Sequence, residues 1–220
     1  MNRILGALPA LVLCSVVQAA PFQNGSFESG SVPNTCNVYD LPIGSTTITG
    51  WTVIQGAIDW EGPSPCGWVA SNGSNSIDLL GQGGSTGGIQ QTFDTIPGST
   101  YSVSFDLAGN YGGAPVVKPL TVTVASVTQS YTFDTTGKSA TNMGWTRKSF
   151  TFTATSSSST LAFVSNVGFV SNAGAVIDNV TVAPLGTAST AVPLDWAQWA
   201  AAILLLTTGV LVLRRDHRAA

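Results

Sequence analysis

Two carboxylates near opposite ends of the chain carry the most conspicuous chemistry. The stretch Ala175-Val176-Ile177-Asp178-Asn179-Val180-Thr181-Val182-Ala183 reads as the last strand of a folded domain. By the period-2 rule Val176, Val180 and Val182 share a face with Asp178. A carboxylate on a core-facing row is costly unless something compensates its charge. Asn24-Gly25-Ser26-Phe27-Glu28 supplies the second carboxylate, and the reading is that these two ends meet.

Other chemical constellations are thin. Asp59 and Glu61 are two apart, so on a strand they point the same way. Glycosidases set two carboxylates across a sugar at a controlled separation, which neighbours on one strand seldom do, and a hydrolase is the weaker reading. The single histidine, His217, sits in the C-terminal tail. That excludes Ser-His-Asp and Cys-His catalysis, and a His-containing zinc site, within the domain. Three cysteines are too few for a four-thiolate zinc site. The glycine-rich stretch Gly81 to Gly88 precedes strand-like Ile89-Gln90-Gln91-Thr92-Phe93 rather than a helix, so it is not a phosphate cradle.

The elements that must position these residues are strands. Charged residues are 9% of the 220, against roughly 25% in ordinary soluble domains. Apolar residues at 44% and a net charge of −3 argue against disorder. Between residues 20 and 192, four basic side chains stand against nine acidic ones, a net charge of −5. An acidic surface without a basic run argues against nucleic-acid binding.

Taken in order, residues 21–30 open the domain. Val32 to Ser45, with two prolines and Cys36, reads as loop. Trp51 to Ile54 and Ala57 to Trp60 read as strands around Gln55-Gly56, and Pro63 to Gly67 as a turn carrying Cys66. Ser76 to Leu80, Ile89 to Phe93, Tyr101 to Leu107, Leu120 to Val124, Tyr131 to Phe133, Phe150 to Thr153 and Leu161 to Val164 continue the series. Asn110 to Pro115 is a turn. Many short alternating strands with turn punctuation give an all-β sandwich or jelly roll.

Both ends read as targeting segments. Residues 1–19 form a secretory signal peptide: Arg3, an apolar run, and Val17-Gln18-Ala19 before the cut. The domain then spans residues 20–183, with a linker and sorting motif at 184–195. Residues 196–213 are almost wholly apolar and just long enough for one transmembrane helix. Arg214, Arg215 and Arg218 in the tail 214–220 mark a cytoplasmic end. Val192-Pro193-Leu194-Asp195-Trp196, the span and the arginines together resemble bacterial tripartite sorting signals of the PEP-CTERM and IPTL-CTERM type. The tail lacks Pro-Glu-Pro and only approximates Ile-Pro-Thr-Leu-Ser-Glu-Trp. The resemblance implies surface sorting and a processing enzyme as partner. It places the domain across the inner membrane, at the cell envelope. With the signal peptide removed, Cys36 and Cys66 remain, and a cysteine pair in an exported domain suggests a disulfide.

Seven short motifs occur in a recognisable order: Asn24-Gly25-Ser26-Phe27-Glu28, Gly50-Trp51, Ile58-Asp59-Trp60, Ser76-Ile77-Asp78-Leu79, Gly88 to Phe93, Tyr101 to Asn110 and Ile177-Asp178-Asn179-Val180. The region from about Phe22 to Val182 resembles the bacterial choice-of-anchor C family, related to the plant cell-wall domain-of-unknown-function family 642. That resemblance implies a galactose-binding-like jelly roll, as in many carbohydrate-binding modules. It also implies a structural calcium shared by the two ends, with Glu28 and Asp178 as side-chain ligands and carbonyls near Ser26 completing the oxygen set.

Sugar rings are held against aromatic faces, with polar groups fixing hydroxyls. Trp51, Trp60, Trp68, Trp145, Tyr39 and Tyr111 are the aromatic candidates, although tryptophans of a sandwich are usually core. The expected ligand residues are Tyr111, Trp60 and Asp59, with Tyr111 the exposed one because it lies in a turn. The sequence therefore reads as an exported, membrane-tethered, non-catalytic domain that binds polysaccharide or extracellular matrix. The other reading is a structural or adhesive surface protein without a small ligand.

Overall fold

A computed structural model of the chain describes residues 20–34, 37–65 and 67–185. The signal peptide, the linker, the apolar span, the basic tail, Cys36 and Cys66 lie outside the described residues. Ten strands follow one another: β1 (Val38–Pro42), β2 (Thr52–Glu61), β3 (Ser76–Asp78), β4 (Gly84–Asp94), β5 (Thr100–Gly109), β6 (Val117–Val124), β7 (Val127–Asp134), β8 (Thr146–Thr153), β9 (Ser158–Ser171) and β10 (Ala175–Pro184). No helix occurs among the described residues.

Every pairing is antiparallel, and the strands lie in the order β7-β6-β9-β4-β2-β3-β10-β5-β8, with β1 on β2. The path is continuous because β2 belongs to two sheets. Its first half pairs with β4, and its second half pairs with β1 and β3. Trp51 to Ile54 and Ala57 to Trp60 are thus not two strands about a turn; from Thr52 on they are one strand bent at Gly56. The register shifts between Val53 and Gln55, and Gly56 has φ +51°. A Cβ there would sit 1.9 Å from the carbonyl oxygen of Thr86, so only glycine lets the strand cross between sheets.

Alternation places the core. On β5, Tyr101, Val103, Phe105 and Leu107 are buried between half-buried Ser102, Ser104 and Asp106. On β6, Leu120, Val122 and Val124 alternate with threonines. These rows meet Trp51, Ile58, Trp60, Ile77, Phe93 and Phe163 in one cluster, with ring pairs such as Phe105–Phe163 at 5.1 Å. Burial of this apolar surface is the main force holding the sheets together.

Alternation fails in the middle of the second sheet. Ile58 to Glu61, Ser76 to Asp78 and Ala175 to Asp178 are buried on both faces. Ile77 lies opposite Trp60 and Ile177 on the core face, so Asp59, Asp78 and Asp178 point the other way. Residues 67–75 lie over that second face: the Trp68 indole donates to Ser76 Oγ at 2.8 Å.

Val32 to Ser45 is not all loop, since β1 lies within it and pairs with the second half of β2. The glycine-rich stretch is only partly loop. β4 begins at Gly84, and a Cβ on Gly87 would meet the Leu79 carbonyl at 2.4 Å, so small residues here allow close strand packing.

Candidate functional site

The two chain ends do meet. Val180 N–H donates to Gly25 O at 2.8 Å, and a Cβ on Gly25 would lie 1.9 Å from Val180 O. Trp51 Nε1 donates to Asn24 O and Trp60 Nε1 to Phe27 O, each at 3.0 Å. Asp178, however, does not share a face with Val180 and Val182. A bulge between Asp178 and Thr181, with Asn179 at φ +51°, shifts the parity. It turns Val180 and Val182 to the core side and leaves Asp178 beneath the covering segment.

There its carboxylate is filled by amides. Asp178 Oδ2 accepts from Ser71 N and Asn72 N at 2.8 Å and from Ser71 Oγ at 3.1 Å, while Oδ1 accepts from Asn179 N. Glu28 does the same to the other end of the loop. Its Oε1 accepts from Ser74 N and Asn75 N at 2.8 Å. Ser26 Oγ donates to Asn72 Oδ1 at 3.0 Å. Gly73, at φ +68°, turns the loop over Glu28, where a Cβ would meet Oε1 at 2.5 Å.

The two carboxylates therefore close on one loop, Ser71 to Asn75. This donor set does not fit the calcium implied by the family resemblance. Calcium needs six to eight oxygens facing inward, and here N–H groups, whose positive ends oppose a cation, occupy Asp178 Oδ2 and Glu28 Oε1. Among the described residues no group of three or more His, Cys, Asp or Glu side chains is arranged to hold a metal. Burial still pushes the Asp178 carboxyl up to about 6, against the pull of its four hydrogen bonds.

Beside the clasp, Asp106 accepts from Ser71 Oγ at 2.7 Å, Asn179 Nδ2 at 3.0 Å and Arg147 Nη1 at 3.2 Å. Burial works against it, yet these bonds hold the carboxyl below its ordinary value.

Asp59 is 5% exposed and sits in register between Asp40 on β1 and Asp78 on β3. Its Oδ1 is buried without a hydrogen-bond partner. Burial first, and then the Asp40 charge and a hydrogen bond to Asp40, push its carboxyl up to about 7. Glu61, also 5% exposed, is pushed up to about 7 by burial and by Asp59. For Asp59 the register adds to burial, since Asp40 lies directly opposite on the paired strand and like charges so placed repel.

Of the expected ligand residues, Trp60 is a correction. It is fully buried in the core against Tyr39, and presents no face to a ligand. Asp59 is buried between Asp40 and Asp78. Trp51 and Trp68 are buried, and Trp145 is half-buried with its indole donating to Val69 O at 2.9 Å. Tyr111 is 41% exposed.

The Tyr111 loop, between β5 and β6, is joined to the turn between β9 and β10. Asn110 Nδ2 donates to Asn172 O at 3.2 Å and Ser171 Oγ to Ala114 O at 2.7 Å. The second segment brings Phe169, 47% exposed, and the adjoining Val170, with Val116 and Val117 exposed beside Tyr111's loop. Phe169 escaped the sequence reading because it ends a 14-residue strand whose alternation was evident only from Leu161 to Val164. Gly168 just before it, at φ +78°, was the available signal.

The described residues form an all-β sandwich of antiparallel sheets whose first and last segments are hydrogen-bonded to each other. The chain belongs to the family described as "Protein of unknown function (DUF642)", whose model matches residues 20–183. It is 32% identical over 181 residues to halomucin of Haloquadratum walsbyi, a match covering 79% of this chain and 2% of that protein. The chain thus spans about 2% of the length of the curated relative it matches.

Among solved structures it is similar to an arabinose-bound α-L-arabinofuranosidase, MgGH51, at 14% identity and TM-score 0.50, over 77% of this chain and 27% of that one. It is also similar to the CBM22-1 xylan-binding domain of Paenibacillus barcinonensis Xyn10C, at 15% identity and TM-score 0.45, over 71% of this chain and 100% of that one. Carbohydrate-binding modules are thus among its structural neighbours.

Two outcomes follow from this chemistry. Asp59, Glu61 and Asp178 bind protons more tightly in the fold than in the unfolded chain. The stability they lend is complete below the unfolded carboxyl range and drains away as pH climbs through 6 to 7. The melting temperature should be higher at about pH 5 than at about pH 8, by roughly 2–4 °C for each kcal/mol in a domain of this size. Asp59→Asn should shrink the difference, and a melting temperature rising over that interval would refute the assignment.

Chelator or added calcium should leave the melting temperature of the parent unchanged. Asp178→Ala should lower it by several degrees, because two loop amides lose their acceptor at about 1–3 kcal/mol for each unsatisfied group. A rise of several degrees on adding calcium would restore the calcium clasp.

Proposed function

We propose that this domain is a non-catalytic polysaccharide-binding module of the cell surface, which takes its ligand against Tyr111 and Phe169. The observation that carries the reading is the exposure of Tyr111, in the loop after β5, and of Phe169, near the end of β9, beside two segments hydrogen-bonded to each other. Aromatic faces receive the apolar face of a sugar ring. Asn172, exposed in the turn that follows β9, offers a polar side chain for hydroxyls. A hydrolytic role is disfavoured because Asp59 and Glu61 are buried and Glu28 and Asp178 spend their oxygens on loop amides.

The test is a glycan array, with a panel of insoluble polysaccharides, probed with the parent, Tyr111→Ala and Phe169→Ala. The parent should be retained, and each variant should bind at least about tenfold more weakly, a loss of about 1.4 kcal/mol, with an unchanged melting temperature. Retention of no glycan, or variants that bind like the parent, would sink the reading. Self-association without a glycan would point to the adhesive alternative.

We infer further that the domain is exported and tethered as the choice-of-anchor resemblance implies. The apolar residues 196–213 would serve as membrane anchor, the arginine tail would be cytoplasmic, and a sorting enzyme would act on the tail. Cys36 and Cys66 would be joined as a disulfide. The described residues beside them support that pairing, since Gly62 N–H donates to Asn37 O at 2.8 Å and Asn34 Nδ2 to Trp60 O at 3.0 Å. Free thiols of the mature protein should become titratable only after reduction, and thiols titratable before it would exclude the disulfide.

A further inference from the structure

We propose that Lys118 and Asp78 form a buried anchor that holds the loops after β5 and β9 in place, each side chain gripping both loops. This deepens the binding reading above, because the first loop carries Tyr111 and the second follows the end of β9 that carries Phe169.

Lys118 shares the core-facing row of β6 with Leu120, Val122 and Val124, and it is fully buried. A lysine there needs acceptors, since a buried ammonium without them is very costly. Its Nζ donates to Gly113 O at 2.6 Å, in the first loop, and to Ala173 O at 3.0 Å, in the second. Asp78, fully buried at the end of β3, mirrors it as an acceptor; burial pushes its carboxyl well above the ordinary value, against the pull of the Asn110 and Gly174 hydrogen bonds. Its Oδ2 accepts from Asn110 Nδ2 at 2.8 Å, at the start of the first loop, and its Oδ1 from Gly174 N at 2.9 Å, at the end of the second.

The ammonium thus takes two carbonyls and the carboxyl takes two N–H groups, one from each loop in both cases. Among the described residues the direct ion pair is Arg147–Asp106. Lys118 and Asp78 spend their hydrogen bonds on backbone and amide groups instead of on each other.

Three glycines make room for the arrangement. A Cβ on Gly109 would strike the Lys118 stem at 2.6 Å, one on Gly174 would meet Asp78 Oδ1 at 2.7 Å, and one on Gly113 would meet Ala173 Cβ at 2.8 Å. Neither loop can drift without leaving one of the charges short of a partner. Charge-assisted hydrogen bonds of this kind are stronger than neutral ones, and a preordered loop loses less freedom when a ligand binds.

Hydrogen exchange on the full chain tests the anchor without any ligand. Lys118→Met should speed amide exchange in residues 110–116 and 171–174 together, while the β5 and β9 core amides stay protected. Lys118→Met with Asp78→Asn should recover part of the melting temperature that either change loses alone, because the pair then leaves no lone buried charge.

If Lys118→Met does not fold, Asp78→Asn, which replaces by a donor one of the two acceptor oxygens shared out between the loops, should raise exchange in both segments. Unchanged exchange in the loops, acceleration of only one of them, or strictly additive losses in the double variant would overturn the proposal. A glycan array that retains nothing would remove the binding reading and leave these exchange results to stand or fall separately.

Discussion

The buried carboxylate of Asp178 is the constraint on which this domain turns. A charge at that depth is tolerable only if donors surround it, and the donors come from a loop about a hundred residues earlier in the chain. To deliver them, residues 67–75 must lie across the outer face of the sheet. That placement sets Gly67 against the Glu61 carboxyl, brings the Trp68 indole to Ser76, and puts Ser74 and Asn75 within reach of Glu28. Glu28 in turn fixes the opening segment, which the Trp51 and Trp60 indoles hold from the core side.

The domain buries charge in three distinct ways. Asp178 and Asp78 are satisfied by amide and backbone donors, and Lys118 by carbonyls. Asp106 keeps a cation, Arg147, at the edge of the sheet. Asp59 has neither arrangement for its Oδ1, and burial favours its neutral form. Only the second of these resembles a conventional salt bridge.

Much of the architecture was legible in the sequence. Alternation on β5 and β6 is unbroken because one face of each packs on the core, and periodicity alone locates such strands. Legibility ended where that condition failed. β1 hides among prolines and polar residues because it is an edge strand, and Gln55-Gly56 looks like a turn because a strand changing sheets needs the same glycine. Asp178 was conspicuous as a carboxylate in a strand, but its orientation depended on a bulge that no spacing reveals, and its partners on a loop too distant in sequence to be paired with it. Trp60 was drawn toward a ligand by its chemistry and kept in the core by its parity with Ile58. Tyr111 could be found because turns expose what they carry. Lys118 and Asp78 could not, because each is a lone charge whose partners are backbone atoms of distant loops.

The position of the chain ends has a bearing on how such a domain can be used. Ala20 O accepts from Asp94 N, and Leu185 N donates to Thr100 O, so both ends of the described domain emerge beside the short connection between β4 and β5. The aromatic loops lie past Gly109, at the far end of β5, about 30 Å away for a strand of this length. A unit that enters and leaves at one pole can be spliced into a longer polypeptide without prising its neighbours apart.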